Sequence, residues 1–100
     1  MNITQTIAIE TALSEKQITN VINMLNDGNT IPFMARYRKE NTDNLDEVQL
    51  RLIRDRFEYI SELEHRKEVV LKSIDEQGKL TDELAQAIHQ VTTKQVLEDL

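Results

Sequence analysis

The stretch Leu45-Asp46-Glu47-Val48-Gln49-Leu50-Arg51 opens a run that reaches Asp75-Glu76-Gln77 without a glycine or a proline. Asp46 is a good helix N-cap, Gln49 stands three residues on, and Leu45 and Leu50 are placed as a hydrophobic staple. Gly78 is the first breaker. The spacing predicts one helix of about 31 residues, about 46 Å long at 1.5 Å per residue. A compact chain of 100 residues has a diameter of roughly 33 Å, so this helix is expected to outrun the cover its own domain supplies.

Set at about 100° per residue, the apolar side chains of that helix fall in two stripes. Leu50, Ile53, Phe57, Ile60 and Leu71 form the first; Val48, Leu52, Tyr59, Leu63 and Val70 form the second, with Ile74 between. A helix apolar on two sides braces neighbours on both. The half around Leu63, Val70, Leu71 and Ile74 is expected to stay wet or to be covered by self-association. The segment Glu64-His65-Arg66-Lys67-Glu68 offers no apolar anchor and is expected to be the weakest turn. Glu47 with Arg51, Glu62 with Arg66 and Glu68 with Lys72 have the favoured Glu-first i,i+4 order. A homodimeric coiled coil would carry the seam Leu50, Ile53, Phe57, Ile60 into Glu64 and Lys67, both poor core residues. That argues against it.

Short helices are expected on either side. Ile3 and Ile7, with Ile9 or Leu13, suggest a first. Ser14-Glu15-Lys16-Gln17 reads as a capping box opening a second, which buries Ile18, Val21, Ile22 and Leu25 and ends at Gly28. Pro32 is suited to begin a third, on which Phe33 and Tyr37 share a face at core spacing. Beyond Gly78, Thr81 is an N-cap followed by Asp82 and Glu83, with Leu84 and Ile88 facing inward. Thr92 or Thr93 caps a last helix carrying Val96, Leu97 and Leu100. The fold class is all-α: helix-turn-helix-like N-terminal helices in residues 1–44, a long central helix in 45–78, and the start of a further helical region in 79–100.

Composition narrows the function. With 39% apolar and 30% charged residues the chain is too rich in aliphatics to be disordered. Without cysteine it has neither disulfides nor thiolate metal ligands. No window approaches the roughly 18 apolar residues of a membrane span, and no basic leader precedes an apolar run, so a cytoplasmic protein is expected. A net charge of −6 argues against a general polyanion binder. The charge is uneven, however. Residues 31–39 hold Arg36, Arg38 and Lys39 with no acid, whereas residues 75–100 hold six acids against two lysines.

No catalytic constellation is legible, and no enzyme, cofactor or metal is expected. Glu62-x-x-His65 has the spacing of half a carboxylate metal site, but its second half is missing. There is no phosphate-cradling glycine loop and no nucleophile–base set. The one serious candidate is Arg36-Tyr37-Arg38-Lys39. Guanidinium groups grip phosphates, and a tyrosine among them can stack on an unpaired base. The competing structural role is weightier: Arg36 and Arg38 pairing with Glu40, Glu47 or Asp55, with Tyr37 packed. Arg51, Arg54 and Arg56 invite the same suspicion and the same answer. As a recognition helix the segment from Pro32 to Tyr37 is too apolar to read base edges.

Longer motifs point to a family. Ile31-Pro32-Phe33-Met34-Ala35-Arg36-Tyr37-Arg38-Lys39-Glu40, the helix opening from Leu45 to Arg51, Glu76-Gln77-Gly78-Lys79-Leu80-Thr81 and Leu97-Glu98-Asp99-Leu100 closely resemble the opening region of the Tex family of bacterial transcription accessory proteins. The likeness covers residues 14–100. Met34 departs from the branched aliphatic residue usual there, and Asn41-Thr42-Asp43-Asn44 lacks the glycines that relatives place in that loop. The resemblance implies an N-terminal fragment of a multidomain protein, followed by an RNase H-like domain, helix-hairpin-helix elements and an S1 domain. It implies as partners the remaining domains of the same chain, RNA or DNA for the full-length protein, and the transcription machinery. For these residues it implies a helical scaffold, with Arg36, Arg38 and Lys39 as a minor nucleic-acid contact or an apolar face docking a partner such as polymerase.

Overall fold

A computed structural model describes residues 2–99. The elements in chain order are α1 (Ile3–Thr11), α2 (Glu15–Asn26), α3 (Ile31–Tyr37), α4 (Lys39–Thr42), α5 (Glu47–Glu76), α6 (Asp82–His89) and α7 (Lys94–Asp99). No strand occurs among the described residues, and the expected all-α class with a long central helix holds.

The helix ends are built as their sequences dictate. The Gln17 N–H donates to Ser14 Oγ at 3.1 Å while the Ser14 N–H donates to Gln17 Oε1 at 3.0 Å, closing the capping box of α2. At its other end Gly28 takes φ +90°, and the N–H groups of Gly28 and Asn29 donate back to the carbonyls of Leu25 and Met24. That pair of bonds is a Schellman motif. Thr30 accepts from the Phe33 N–H at 3.3 Å, so α3 starts at Ile31 and Pro32 is its second residue rather than its first. The missing donor of Pro32 still costs nothing, because the first turn has no intrahelical acceptors to satisfy.

The expected loop after Arg38 is partly a single turn of helix, α4. Its exit is made without glycine: Asp43 (φ 55°) and Asn44 (φ 65°) both adopt the left-handed conformation, which their short polar side chains tolerate better than other non-glycine residues. The chain then enters α5 through the expected box, with the Gln49 N–H on Asp46 Oδ1 at 2.8 Å and the Asp46 N–H on Gln49 Oε1 at 3.1 Å. Leu45 and Leu50, the staple pair, are both buried.

The helix α5 runs unbroken for 30 residues. It contributes to two compact units, one of residues Asn2–Tyr59 and the other from Ile60 onward. In the first unit, α1 packs on α2, and α4 meets both α2 and α3. Ile7, Ile18, Val21, Met24, Ile31, Met34, Leu45, Leu50 and Ile53 are its buried apolar side chains, and the Thr42 side chain is buried with them. The Arg56 guanidinium meets the Glu10 carboxylate at 2.7 Å, tying α1 to α5. Gln17 Nε2 and Asn20 Nδ2 donate to the backbone carbonyls of Thr42 and Asn41, fixing the α4 turn against α2.

In the second unit Ile60, Leu63, Ile88, Val91 and Leu97 are buried. Thr81 caps α6 and Thr93, of the two candidates, caps α7. Leu100, expected with Val96 and Leu97 on that last helix, lies outside the described residues. Lys94 reaches Glu62 at 2.7 Å, where Arg66 was the expected partner; the Arg66 charge acts on Glu62 more weakly. Of the three i,i+4 pairs, Glu47 with Arg51 forms, at 3.8 Å.

Two expectations about α5 are corrected. The segment from Glu64 to Glu68 is anchored, and by a lysine. Lys67 is only 1% exposed, and its ammonium donates to Glu64 Oε1 at 3.1 Å and to the carbonyl of His89 at 2.9 Å. An aliphatic stem in the core with a satisfied ammonium at its tip meets the physical condition for burying a charge. The wet part of the helix is also not confined to where it was expected: Val69, in that half, is 43% exposed, but the start of the helix is wetter. Leu63 is buried and Val70, Leu71 and Ile74 are half-buried, whereas Val48 is 68% and Leu52 46% exposed. The second stripe is thus most open at its start, covered at Leu63 and only partly covered at its end.

Candidate nucleic-acid interface

Arg36, Tyr37, Arg38 and Lys39 lie where α3 gives way to α4. The last turn of α3 presents Arg36 and Tyr37, Arg38 is the junction residue at φ −126°, and Lys39 opens α4. All four side chains are exposed. The expected packing of Tyr37 does not occur: its ring is 57% exposed, and Phe33, one turn earlier, is 37% exposed. The reason is angular. Ile31, Met34 and Ala35 share the covered side of α3, and at about 100° per residue Phe33 and Tyr37 fall on the opposite side.

The two rings touch, with centroids 5.2 Å apart and planes tilted by 47°. A guanidinium lies against each: Arg36 Cζ is 5.2 Å from the Tyr37 centroid and Arg38 Cζ is 4.8 Å from that of Phe33. One Arg38 nitrogen also donates to the Tyr37 carbonyl at 3.1 Å. The result is an exposed ladder, Arg36 on Tyr37 on Phe33 on Arg38.

The ion pairs expected to occupy Arg36 and Arg38 are absent among the described residues. Asp55 meets Arg54 at 3.0 Å, Glu47 meets Arg51, and Glu10 meets Arg56. The other three suspect arginines are therefore held by carboxylates, while Arg36, Arg38 and Lys39 stand without one. Cations arranged so, beside exposed rings, are free to meet phosphates and planar groups together.

The remaining candidates are used up structurally. The Glu62 carboxyl is held below its ordinary range by the hydrogen bond from Lys94 first and by that ammonium's charge second. His65 stands exposed nearby on α5. Among the described residues no three histidine, aspartate or glutamate side chains converge as metal ligands, and no helix is long and apolar enough to cross a membrane. A polar cleft of about 320 Å³ lies between the start of α2 and the α4 turn. It sets Glu40 and Asp43 against a single cation, Lys16, which makes it unsuited to phosphate.

The sequence matches the Tex-like protein N-terminal domain over residues 1–75. The chain belongs to the Tex family. It is 52% identical over 100 residues to the transcriptional accessory protein Tex of Neisseria gonorrhoeae, a match covering all of this chain and 13% of that protein. It is 51% identical over 94 residues to protein YhgF of Escherichia coli, covering 94% of this chain and 12% of the relative. A more distant relative is the human S1 RNA-binding domain-containing protein 1, 35% identical over 79 residues, which are 79% of this chain and 8% of that one. The chain thus spans about an eighth of the length of the Tex proteins it matches. The ladder of Phe33, Arg36, Tyr37 and Arg38 lies inside the matched Tex-like domain.

Proposed function

We propose that this chain is the N-terminal helical scaffold of a transcription accessory protein and that Arg36, Arg38 and Lys39 lend it a weak, sequence-independent contact to nucleic acid. It works in the cytoplasm beside the transcription machinery, braces the domains that follow it, and carries out no chemistry of its own. The bulk of nucleic-acid binding belongs to parts of the protein beyond these residues. The name of the gonococcal relative supports the transcriptional setting, and that of the human relative supports RNA as a ligand of the longer protein. The observation that carries the contact is the freedom of three clustered, exposed cations from any carboxylate among the described residues.

The test is a titration of labelled single-stranded RNA and duplex DNA at 50 and 200 mM salt. Three phosphate contacts give a logarithmic salt slope of about −2 to −3, so affinity falls about 15- to 60-fold over that range. The double variant Arg36→Ala with Arg38→Ala is expected to lose most of the low-salt binding. Its stability should fall by no more than about 2 kcal/mol, the contribution of two exposed cation–aromatic contacts. Unchanged binding in a folded double variant overturns the contact.

A second reading, docking of a transcription partner such as polymerase, is favoured by the wet side chains Val48 and Leu52 one turn apart on α5. The change Val48→Lys with Leu52→Lys separates the two, since it leaves the basic ladder intact.

A further inference from the structure

We infer that Tyr37, braced by the Phe33 ring beside it, is a stacking platform for an unpaired nucleobase, so that this surface selects single-stranded over duplex nucleic acid. The inference rests on the nucleic-acid reading above and adds to it the form of the ligand. The chain has four aromatic residues, and two of them stand in water side by side on a helix of seven residues. Neither ring is needed to fill the first unit, whose contribution from α3 is Ile31 and Met34. Large exposed apolar surface is the informative departure from ordinary burial.

The arrangement supplies both things a single strand offers. Base faces are π surfaces that stack on tyrosine, phenylalanine or a guanidinium plane, and a duplex keeps them hidden. Phosphates follow at each nucleotide step; Arg36 and Arg38 lie against the rings, Lys39 is exposed next to Arg38 in the chain, and none of the three has a carboxylate partner among the described residues. In the free protein the Arg36 guanidinium covers Tyr37 at 5.2 Å. A base takes that place on the ring, and the displaced guanidinium, with its five donors, meets the adjacent phosphate. Arg38 stays against Phe33, held by its bond to the Tyr37 carbonyl. Since every base has a π face, the surface discriminates strandedness and not sequence.

The experiment measures this chain against a fluorescein-labelled 12-nucleotide oligouridylate and a 12-base-pair duplex at 50 mM salt, with circular dichroism on every variant. Tyr37→Leu removes the π face and no charge; Tyr37→Phe keeps the face. Wild type is expected to hold the single strand several-fold tighter than the duplex. Tyr37→Leu should lose about five- to hundredfold for the single strand only, with the salt slope unchanged, and Tyr37→Phe should retain wild-type binding. If Tyr37→Leu weakens neither ligand, or both alike, the stacking platform is overturned while the phosphate contact stands. If Arg36→Ala with Arg38→Ala also leaves both affinities untouched, or if polyglutamate binds and no oligonucleotide does, both readings fall.

Discussion

The Lys67 ammonium, buried in the second unit, shows how one side chain can reverse the meaning of its sequence neighbourhood. Read by type, Lys67 marks the stretch from Glu64 to Glu68 as a weak turn. Read by angle, it stands between Ile60 and Leu63 on α5, within the arc that is buried. The angle prevails because Glu64 and the His89 carbonyl satisfy the charge. Lys67→Ala removes the stem and strands an acceptor, and is expected to cost about 2–4 kcal/mol in urea denaturation. Lys67→Met keeps most of the volume and should recover part of that loss. Equal, small effects of both would mean that the ammonium does not hold α6 to α5. At the basic surface, angle was likewise the better guide. Arg36, Arg38 and Lys39 are legible as candidates from charge alone, but the i,i+4 spacing of Phe33 and Tyr37 points to core. The positions of Ile31, Met34 and Ala35 already put those two rings on the far side of α3. The i,i+4 spacing already gave Glu47 to Arg51, whereas no pattern assigns Asp55 to its neighbour Arg54 or Glu10 to Arg56, 46 residues away.

Among the elements, α5 was the most legible because its signals agree: an Asp46–Gln49 box, a staple, no internal breaker and a glycine in the left-handed conformation just past its end. Both of its stripes exist, yet burial along them differs. Leu52 and Leu63 point in nearly the same direction on the helix, and Leu63 is buried while Leu52 is 46% exposed. Cover depends on which helices lie alongside at each turn, and that is a long-range property absent from local periodicity. The contrast predicts opposite responses within six residues of one helix. Ile53→Ala, from the covered stripe, should lower stability by about 2–4 kcal/mol. Val48→Lys with Leu52→Lys should change it by no more than about 1 kcal/mol, as for exposed positions. If that pair destabilises the isolated chain strongly, the start of α5 is covered in solution; if it spares stability but abolishes binding to purified polymerase, docking through this face is supported. The single turn α4 was missed because four residues are too few for a periodic signal, and because Asp43 and Asn44 do the work that glycine was expected to do.

At the scale of the molecule, the all-α class and the family were readable from punctuation and motif, whereas the division near Tyr59 was not, because it falls inside an uninterrupted helix. Stability need not be uniform along such a chain, since helices can open in cooperative groups below the global unfolding free energy. The second unit draws on a smaller set of buried side chains, centred on Leu63, Lys67, Ile88 and Leu97, and α7 is joined to α5 by the exposed pair of Lys94 and Glu62. Native-state hydrogen exchange is expected to show α6 and α7 opening before α2, and Lys67→Ala should lower protection in the second unit while sparing α2. The Glu62 carboxyl adds a pH dependence of defined sign. Its value in the folded chain is depressed from an ordinary 4.5, with the Lys94 hydrogen bond as the first cause. A depressed carboxyl stabilises the folded form above its unfolded value, and that contribution is lost as pH falls through the folded value. Protection in α7 should therefore be constant from neutral pH down to about 5 and decline below 4.5 once corrected for intrinsic exchange, with Glu62→Gln removing that decline. Uniform protection of α2 and α7, lost together in Lys67→Ala, would instead make the chain a single cooperative unit.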